Sequence, residues 1–142
     1  MKIALGTANF SQKYGLSEKN INLNKKIEKI LNFLNNSNIK LIDTSYNHGF
    51  SETLLGKNNL KNFKVITELK TYIKEKKSDN LENIIFKKVE NSLSKLNIKK
   101  LYVILLHESN DLKSNQKQEL IRTLKKLLGI LITVKKVPIT CL

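Results

Sequence analysis

The 142-residue chain contains very little cysteine, very little arginine and no long apolar run. Its one cysteine, Cys141, is the penultimate residue, so no disulfide can form within the chain, which favours a reducing compartment. A lone cysteine without a surrounding motif is also a poor candidate nucleophile. No apolar stretch reaches membrane-spanning length, and the first residues lack the organisation of a signal peptide. We therefore expect a cytoplasmic protein with no membrane partner.

The formal charge of +14 invites a nucleic-acid-binding interpretation, but the kind and distribution of the basic residues weaken it. Arg122 is the only arginine among the 26 basic residues, although arginine is the side chain best suited to bases and phosphates. The lysines are spread along the chain apart from short clusters such as residues 74–77, and no pattern of stacking aromatic residues accompanies them. A solvated lysine surface is the preferred interpretation, and nucleic-acid binding is not expected.

Short apolar segments typical of strands alternate with amphipathic segments typical of helices. Strands are predicted at residues 3–7, 39–43, 63–67 and 101–106. The last of them is continuously apolar, which predicts a strand buried on both faces. Helices are predicted to begin at four residues that can act as N-caps: Asn24, Ser51, Asp79 and Ser114. This alternation predicts right-handed βαβ units and an α/β fold with a parallel sheet.

Two parallel folds compete for this order of elements: an open doubly wound sheet and a (β/α)₈ barrel. A dinucleotide-binding sheet should open with Gly-x-Gly-x-x-Gly, whereas the first turn offers only Gly6 before Gly15. Asp43 and His107 stand at the ends of the second and fourth predicted strands, and a barrel draws its catalytic groups from several strand ends. Since a full barrel needs roughly 250 residues, the sequence predicts an incomplete (β/α)₈ TIM barrel of about four βα units.

The most specific motif is Leu41-Ile-Asp-Thr-Ser-Tyr-Asn-His-Gly-Phe-Ser-Glu-Thr-Leu-Leu-Gly56. It resembles, without a gap, the aldo-keto reductase signature Asp-Thr-Ala-x-x-Tyr-Gly-x-Ser-Glu-x-x-Leu-Gly. Residues 5–10, 63–67 and 89–107 resemble the family's first strand, third strand and helix-plus-fourth-strand segments, in the same order. The resemblance covers residues 1–127 and implies the N-terminal half of an NADP-dependent oxidoreductase that folds as a (β/α)₈ barrel.

The resemblance also implies a reaction, the reduction of a small aldehyde or ketone by NADPH or NADH. In the family a tyrosine gives the proton, a lysine paired with an aspartate lowers the pKa of that tyrosine, and a histidine orients the carbonyl. Carried over, the aspartate is Asp43 and the histidine is His107, whereas His48 stands at the tyrosine position and Glu68 at the lysine position. Thr7 and Asp43 are the implied contacts of the nicotinamide. No metal site is implied.

The two replacements predict a different electrostatic balance at the site. Asp43 would face Glu68 rather than a lysine, and neighbouring carboxylates disfavour each other's ionised form. His48 could act as the acid, because imidazolium titrates near neutral pH, but the preferred interpretation is a polar loop residue with no catalytic role. Tyr46 and Lys70 each lie two positions from a replaced residue, roughly 6–7 Å away at extended spacing, and catalytic geometry rarely tolerates such a displacement. We therefore expect impaired or absent reductase activity.

The resemblance fades after Leu127, which divides the chain into a half barrel, residues 1–127, and a divergent tail, residues 128–142. The tail changes abruptly to a mostly apolar pattern, which favours a frameshifted sequence. The alternative is a decayed fifth strand at residues 135–140, with Pro138 in place of a glycine. A half barrel leaves its edge strands unpaired and its inner layer open. A homodimer that closes it is therefore possible, and a non-catalytic binding or oligomerisation module is the alternative function.

Overall fold

The computed structural model describes residues 3–10, 23–70 and 80–130 of the chain. Four strands occur in these residues: β1 (Ala4–Gly6), β2 (Leu41–Ser45), β3 (Lys64–Leu69) and β4 (Val103–Leu106). The helices of the same residues are α1 (Leu23–Asn35), α2 (Ser51–Gly56), α3 (Leu81–Leu96) and α4 (Lys117–Ile130). Short 3₁₀ turns at Ala8–Phe10 and Ser109–Lys113 follow β1 and β4.

The strands form one parallel sheet whose spatial order, β1-β2-β3-β4, is the same as their order in the chain. A doubly wound sheet reverses its strand order at a switch point, whereas a barrel adds each strand next to the one before it. No reversal occurs among the described strands. The predicted α/β fold with four consecutive βα units is therefore confirmed.

The two faces of the sheet differ in burial. Alternate residues such as Ile42, Val65 and Leu69 are buried against the helices, where they form one core with apolar residues of all four helices: Ile27, Leu31, Leu34, Leu55, Ile85, Val89, Leu96, Leu120 and Leu127. The opposite face is more open, and Leu105 in the middle of β4 is 38% exposed. The prediction that this strand is buried on both faces is therefore wrong. No element in the described parts of the chain covers that face of β4.

The strand boundaries differ from the predicted ones in a way that matters for the site. β2 continues to Ser45 and β3 to Leu69, each two residues beyond its predicted end. Because β3 is longer, Glu68 lies within the strand and not in the loop after it. β4 begins only at Val103.

The structure replaces each of the four predicted helix caps. Asn24 lies inside α1, which begins at Leu23, and α4 begins at Lys117, three residues after Ser114. Ser51 is the first residue of α2, and its hydroxyl donates a hydrogen bond to the carbonyl oxygen of Thr7 at 2.9 Å. The cap of α3 in the structure is Asn80, whose side chain accepts a hydrogen bond from the main-chain N–H of Asn83, while Asp79 lies outside the described residues.

Helix α4 runs past the predicted end of the half barrel. It continues through Ile130, so residues 128–130 extend the helix that Lys117 begins. Residues 131–142, with Pro138 and Cys141, lie outside the described residues, and the predicted tail stays a prediction. Of the helices that the structure describes, none combines the length and the apolar character that crossing a membrane requires.

Candidate active site at the carboxyl ends of the strands

Three of the predicted site residues follow a diagonal line across the open face of the sheet. Asp43 is in β2, Glu68 is in β3 and His107 directly follows β4. Asp43 is in register with Ile66, two residues before Glu68, and Glu68 is in register with Leu105, two residues before His107. Because side chains two positions apart on a strand share a face, all three lie on the same side of the sheet and advance toward its carboxyl end.

His107 and Glu68 form a direct pair. Nδ1 of His107 lies 3.1 Å from Oε2 of Glu68, and the two side chains are 46% and 32% exposed. The main-chain N–H of His107 also donates to the carbonyl oxygen of Leu69 at 3.0 Å, which continues the β3–β4 ladder to the histidine. A ring that donates its Nδ1–H to a carboxylate is fixed in orientation and presents Nε2 for proton exchange. A small molecule at the strand ends can reach this pair.

Asp43 is the residue whose ionisation the fold alters most clearly. Partial burial raises the pKa of its carboxyl, and the negative charge of Glu68 raises it further. His48 acts in the opposite direction and lowers the pKa. The predicted repulsion between Asp43 and Glu68 is therefore confirmed, although burial is the larger cause.

His48 reaches the cluster from the loop between β2 and α2. Its main-chain N–H donates to the carbonyl oxygen of Ser45, and its own carbonyl oxygen accepts from the N–H of Ser51, both at 3.0 Å. These turns fold the loop back over the end of β2. The charge of His48 also lowers the pKa of Asp43, so this loop residue acts electrostatically on the cluster.

Tyr46 and Lys70, the two neighbours of the replaced positions, are engaged elsewhere. The centroid of the Tyr46 ring lies 4.8 Å from Nζ of Lys95, and the Tyr46 hydroxyl accepts a hydrogen bond from Asn91 at 3.5 Å. Both partners belong to α3, on the helix side of the sheet. Nζ of Lys70 lies 3.9 Å from Oε1 of Glu108. That neither residue takes over a missing catalytic role stays a prediction.

Thr7 has a structural role in the described residues. Its side chain is fully buried, and its hydroxyl donates to the main-chain oxygen of Asp43 at 3.0 Å. Its carbonyl oxygen accepts from the hydroxyl of Ser51. Thr7 thus joins β1, β2 and α2, and its side chain is not available to a nicotinamide. Of the two implied cofactor contacts, only Asp43 is accessible.

Glu52 is a buried polar residue whose place in the fold the sequence reasoning did not identify. It is 1% exposed, and its Oε1 accepts a hydrogen bond from the hydroxyl of Thr67 at 2.8 Å. Both side chains lie between α2 and the sheet, on the face opposite to the cluster. The glutamate that the family signature contains at this position was the signal in the sequence for such a structural role. A glutamate in the first turn of a helix ordinarily stabilises an exposed helix start, so the sequence reasoning did not predict its burial. Glu52 supports the site by fixing α2 to β3.

A cavity of about 540 Å³ lies at the other end of the sheet, between the loops that precede β3 and β4. Its lining consists of residues 56–61, 63 and 97–100, among them Lys57, Lys61, Lys99 and Lys100. It shares no residue with the cluster and is therefore separate from the candidate active site. In the described parts of the chain, no three histidine, cysteine or acidic side chains are arranged to hold a metal ion.

Comparison with known proteins agrees with this geometry. The model of the aldo/keto reductase family matches residues 2–132. No curated protein sequence matches the chain significantly.

Several solved structures have the same fold. A Pseudomonas aeruginosa protein assigned to the aldo-keto reductases superposes with a TM-score of 0.70 at 22% identity, over 90% of this chain and 52% of that chain. The glycerol dehydrogenase of Gluconobacter oxydans has a TM-score of 0.63 at 28% identity, over 89% of this chain and 40% of that one. An aldo-keto reductase of Bombyx mori, solved in complex with NADP, has a TM-score of 0.59 at 19% identity, over 92% and 45%. The chain therefore spans about half the length of the barrels it matches.

Proposed function

Because the chain belongs to the aldo/keto reductase family, we propose that it supplies the carbonyl-binding, acid–base half of an NAD(P)H-dependent aldehyde or ketone reductase. One observation carries the proposal. By resemblance, Asp43, His48, Glu68 and His107 stand at the family's four catalytic positions. Glu68 and His107 are in contact near the carboxyl ends of β3 and β4, and the charges of Glu68 and His48 act on Asp43 of β2. This is the end of a barrel sheet at which catalytic groups are found.

Each member of the cluster has a chemical role in this proposal. His48 stands at the proton-donor position, and as an imidazolium it gives a proton to the carbonyl oxygen while negative charge develops there. The charge of His48 lowers the pKa of the nearby Asp43 carboxyl. His107 orients the carbonyl when its ring carries both protons, because Nε2–H then donates to the carbonyl oxygen while Nδ1–H donates to Glu68. The side chains of Glu68 and His107 are open enough for a small substrate to reach them.

The described residues fit only one edge of a nicotinamide cofactor. Asp43 is accessible at the strand end, but the hydroxyl of Thr7 is buried and donates to the main chain. When bound, NADPH or NADH supplies the hydride. The NADP bound to the Bombyx mori relative supports NADP as the cofactor of a complete barrel. We therefore propose that the half barrel binds the cofactor weakly, and that tight binding needs further residues beyond it.

The expected substrate class follows from a structural relative, and the expected rate follows from the two replaced residues. The relative from Gluconobacter oxydans is a glycerol dehydrogenase, which supports a small hydroxylated carbonyl compound as the substrate. Glu68 replaces the lysine that would lower the pKa of the proton donor, and His48 replaces that donor. Because general acid catalysis commonly contributes 10²–10⁴-fold, we expect reduction by this chain to be slow or absent.

The test compares the natural cluster with a restored one. NADPH oxidation is measured with a panel of small aldehydes and hydroxyketones for the unchanged chain and for the double variant His48→Tyr, Glu68→Lys. We expect little turnover from the unchanged chain and at least tenfold more from the double variant. The matched control adds Asp43→Asn to the double variant and should abolish the gain. A folded double variant that binds NADPH and gains nothing would contradict the proposal.

A second candidate, the non-catalytic oligomerisation module, is favoured by the open edges of the described sheet. Leu105 on β4 and Ile3 next to β1, which is 52% exposed, present apolar side chains at the two outer strands. In this case a second copy supplies the missing neighbours. Sedimentation should then show a dimer that Leu105→Lys dissociates, whereas Phe33→Lys, a change at an exposed apolar residue of α1, should leave it intact. A monomer across the micromolar range would argue against it.

A further inference from the structure

The candidate site contains one direct pair of a histidine and a carboxyl group, in which Nδ1 of His107 lies 3.1 Å from Oε2 of Glu68. Asp43 lies on the same face of the sheet, on the neighbouring strand β2, and the negative charge of Glu68 raises the pKa of its carboxyl. The loop after β2 carries His48, whose main-chain N–H donates to the carbonyl oxygen of Ser45 at 3.0 Å. The charge of His48 lowers the pKa of Asp43. An oriented proton acceptor and a second imidazole thus lie at the same end of the sheet.

The sign of the charge at position 68 determines whether protonation of the neighbouring His107 ring is favoured or disfavoured. A lysine at this position would disfavour protonation of a neighbouring imidazole, whereas a carboxylate stabilises the imidazolium that forms when the ring accepts a proton. The Nδ1 contact with Glu68 also fixes the ring so that Nε2 is the accepting nitrogen. With Glu68 as its partner, His107 has the arrangement of a general base.

We propose that this site catalyses enolisation of small aldehydes and ketones, a proton transfer at the carbon next to the carbonyl group that needs no nicotinamide cofactor. The inference shares its carbonyl substrate class with the proposed function but does not rest on cofactor binding. It assigns His107 and His48 as catalytic residues and Glu68 as a positioning residue.

The step is balanced in protons and electrons. Nε2 of neutral His107 takes a proton from the α-carbon, and the electron pair of the broken C–H bond forms the carbon–carbon double bond of the enol. The carbonyl oxygen receives a proton from the imidazolium of His48. The reverse step returns a proton from His107 to carbon. No electrons are gained or lost overall, so no oxidant or reductant takes part.

The experiment measures proton exchange on carbon in D₂O. The purified chain is incubated with dihydroxyacetone in the presence of EDTA and without nicotinamide, and proton NMR follows the loss of the methylene signal as deuterium replaces hydrogen on carbon. We expect exchange at least tenfold faster than with an equal concentration of free imidazole. His107→Ala should remove this excess, and added imidazole should restore part of it. Restoration by imidazole would not follow a merely structural loss.

Two further variants test the positioning role of Glu68. Glu68→Gln keeps the size of the side chain but removes the charge, and it should lower the maximal rate at least fivefold, change its pH dependence and leave KM nearly constant. Glu68→Asp should recover part of the rate because it restores the carboxylate. The matched control is Glu108→Gln, which removes an adjacent charge whose partner is Lys70, and it should leave exchange unchanged.

The outcomes separate this inference from the proposed reductase. Exchange no faster than free imidazole, or exchange that occurs only when EDTA is omitted, would overturn the enolisation proposal. Neither result would affect NADPH oxidation by the restored double variant. Conversely, exchange that depends on His107 while no variant oxidises NADPH would support enolisation and contradict the reductase. If His107→Ala fails to fold by circular dichroism, His107→Gln and Glu68→Gln give the same test.

Discussion

The Nδ1 atom of His107 lies 3.1 Å from Oε2 of Glu68, and this pair determines the electrostatics of the candidate site. The family resemblance implies a lysine at position 68, so a carboxylate there reverses the charge between Asp43 and His107. One consequence is that Glu68 contributes to the raised pKa of Asp43. The other is that His107 gains an anionic partner. Glu68 on β3 therefore affects both Asp43 on β2 and His107 after β4.

The first prediction concerns the charge at position 68. Glu68→Lys should lower the pKa of Asp43, because it replaces a neighbouring negative charge with a positive one. Carbon-detected NMR titration of the Asp43 carboxyl measures the change. The matched control is Glu108→Lys, which alters the total charge by the same amount. Equal shifts in both variants would mean that total charge, and not the β2–β3 neighbour, controls Asp43.

The second prediction concerns stability as a function of pH. Burial and Glu68 raise the pKa of Asp43 above its ordinary value of 3.8, so the folded state holds this proton more tightly than the unfolded state does. The resulting stabilisation is complete below pH 3.8 and is lost as the pH rises through the raised pKa. Asp43→Asn cannot ionise and should therefore be more stable than the unchanged chain at pH 7. The gain should be modest, because Asp43 is partly exposed.

Urea unfolding of both proteins between pH 3.5 and pH 7.5 checks the second prediction. The difference in the free energy of unfolding should shrink toward zero at the acidic end. A difference that stays constant across the range would show that the amide acts through packing or hydrogen bonding and not through ionisation.

The sequence predicted which residues reach the strand ends but not how they pair. Asp43 and His107 follow apolar runs, which is a local signal. The contact between Glu68 and His107 depends on the register of β3 with β4, a relation between segments almost forty residues apart that no local pattern encodes. A signal for the extended β3 was present, since Val65, Thr67 and Leu69 alternate as a half-buried strand does.

The burial of β4 shows a second limit of sequence reasoning. The run from Leu101 to Leu106 is apolar throughout and predicts burial on two faces. One face does pack against helices, but the other depends on layers that the described residues do not contain, and Leu105 is therefore exposed. An apolar run of this kind is typical of a strand that is covered on both faces, as in a complete barrel. The local pattern carries no information on whether the described residues include the layer that covers the second face.

The third prediction concerns the close approach of α2 to α3. A Cβ atom at Gly56 would overlap the main-chain oxygen of Lys95 and would lie 2.8 Å from the main-chain carbon of Leu96. Neither backbone atom can rotate away, so Gly56→Ala must separate the helices and should cost about 1–3 kcal/mol or more of stability. Gly6→Ala is the matched control, because its Cβ would meet nothing within 4 Å. Thermal unfolding should show a clear loss for the first variant and none for the second.

The fourth prediction concerns the buried hydrogen bond between Glu52 and Thr67. Oε1 of Glu52 accepts from the Thr67 hydroxyl at 2.8 Å, whereas Oε2 is buried without a hydrogen-bond partner. Losing Oε1 leaves the hydroxyl unsatisfied at a cost of about 1–3 kcal/mol, while losing Oε2 removes a penalty of similar size. The net effect of Glu52→Met alone is therefore small and uninformative. A double-mutant cycle that combines Glu52→Met with Thr67→Val isolates the energy of the hydrogen bond between the two side chains.

Both partners can be replaced by apolar side chains of similar shape, and such a replacement is nearly neutral when neither polar group is left behind. The double variant Glu52→Met, Thr67→Val should thus be more stable than the sum of the single changes predicts, by about 1–2 kcal/mol. Urea unfolding of the four proteins measures this coupling. Glu90→Met, at an exposed position of α3, should combine additively with Thr67→Val. Additivity in the Glu52 cycle as well would mean that the hydrogen bond does not hold α2 against β3, and the fixed glutamate of the signature would need a different explanation.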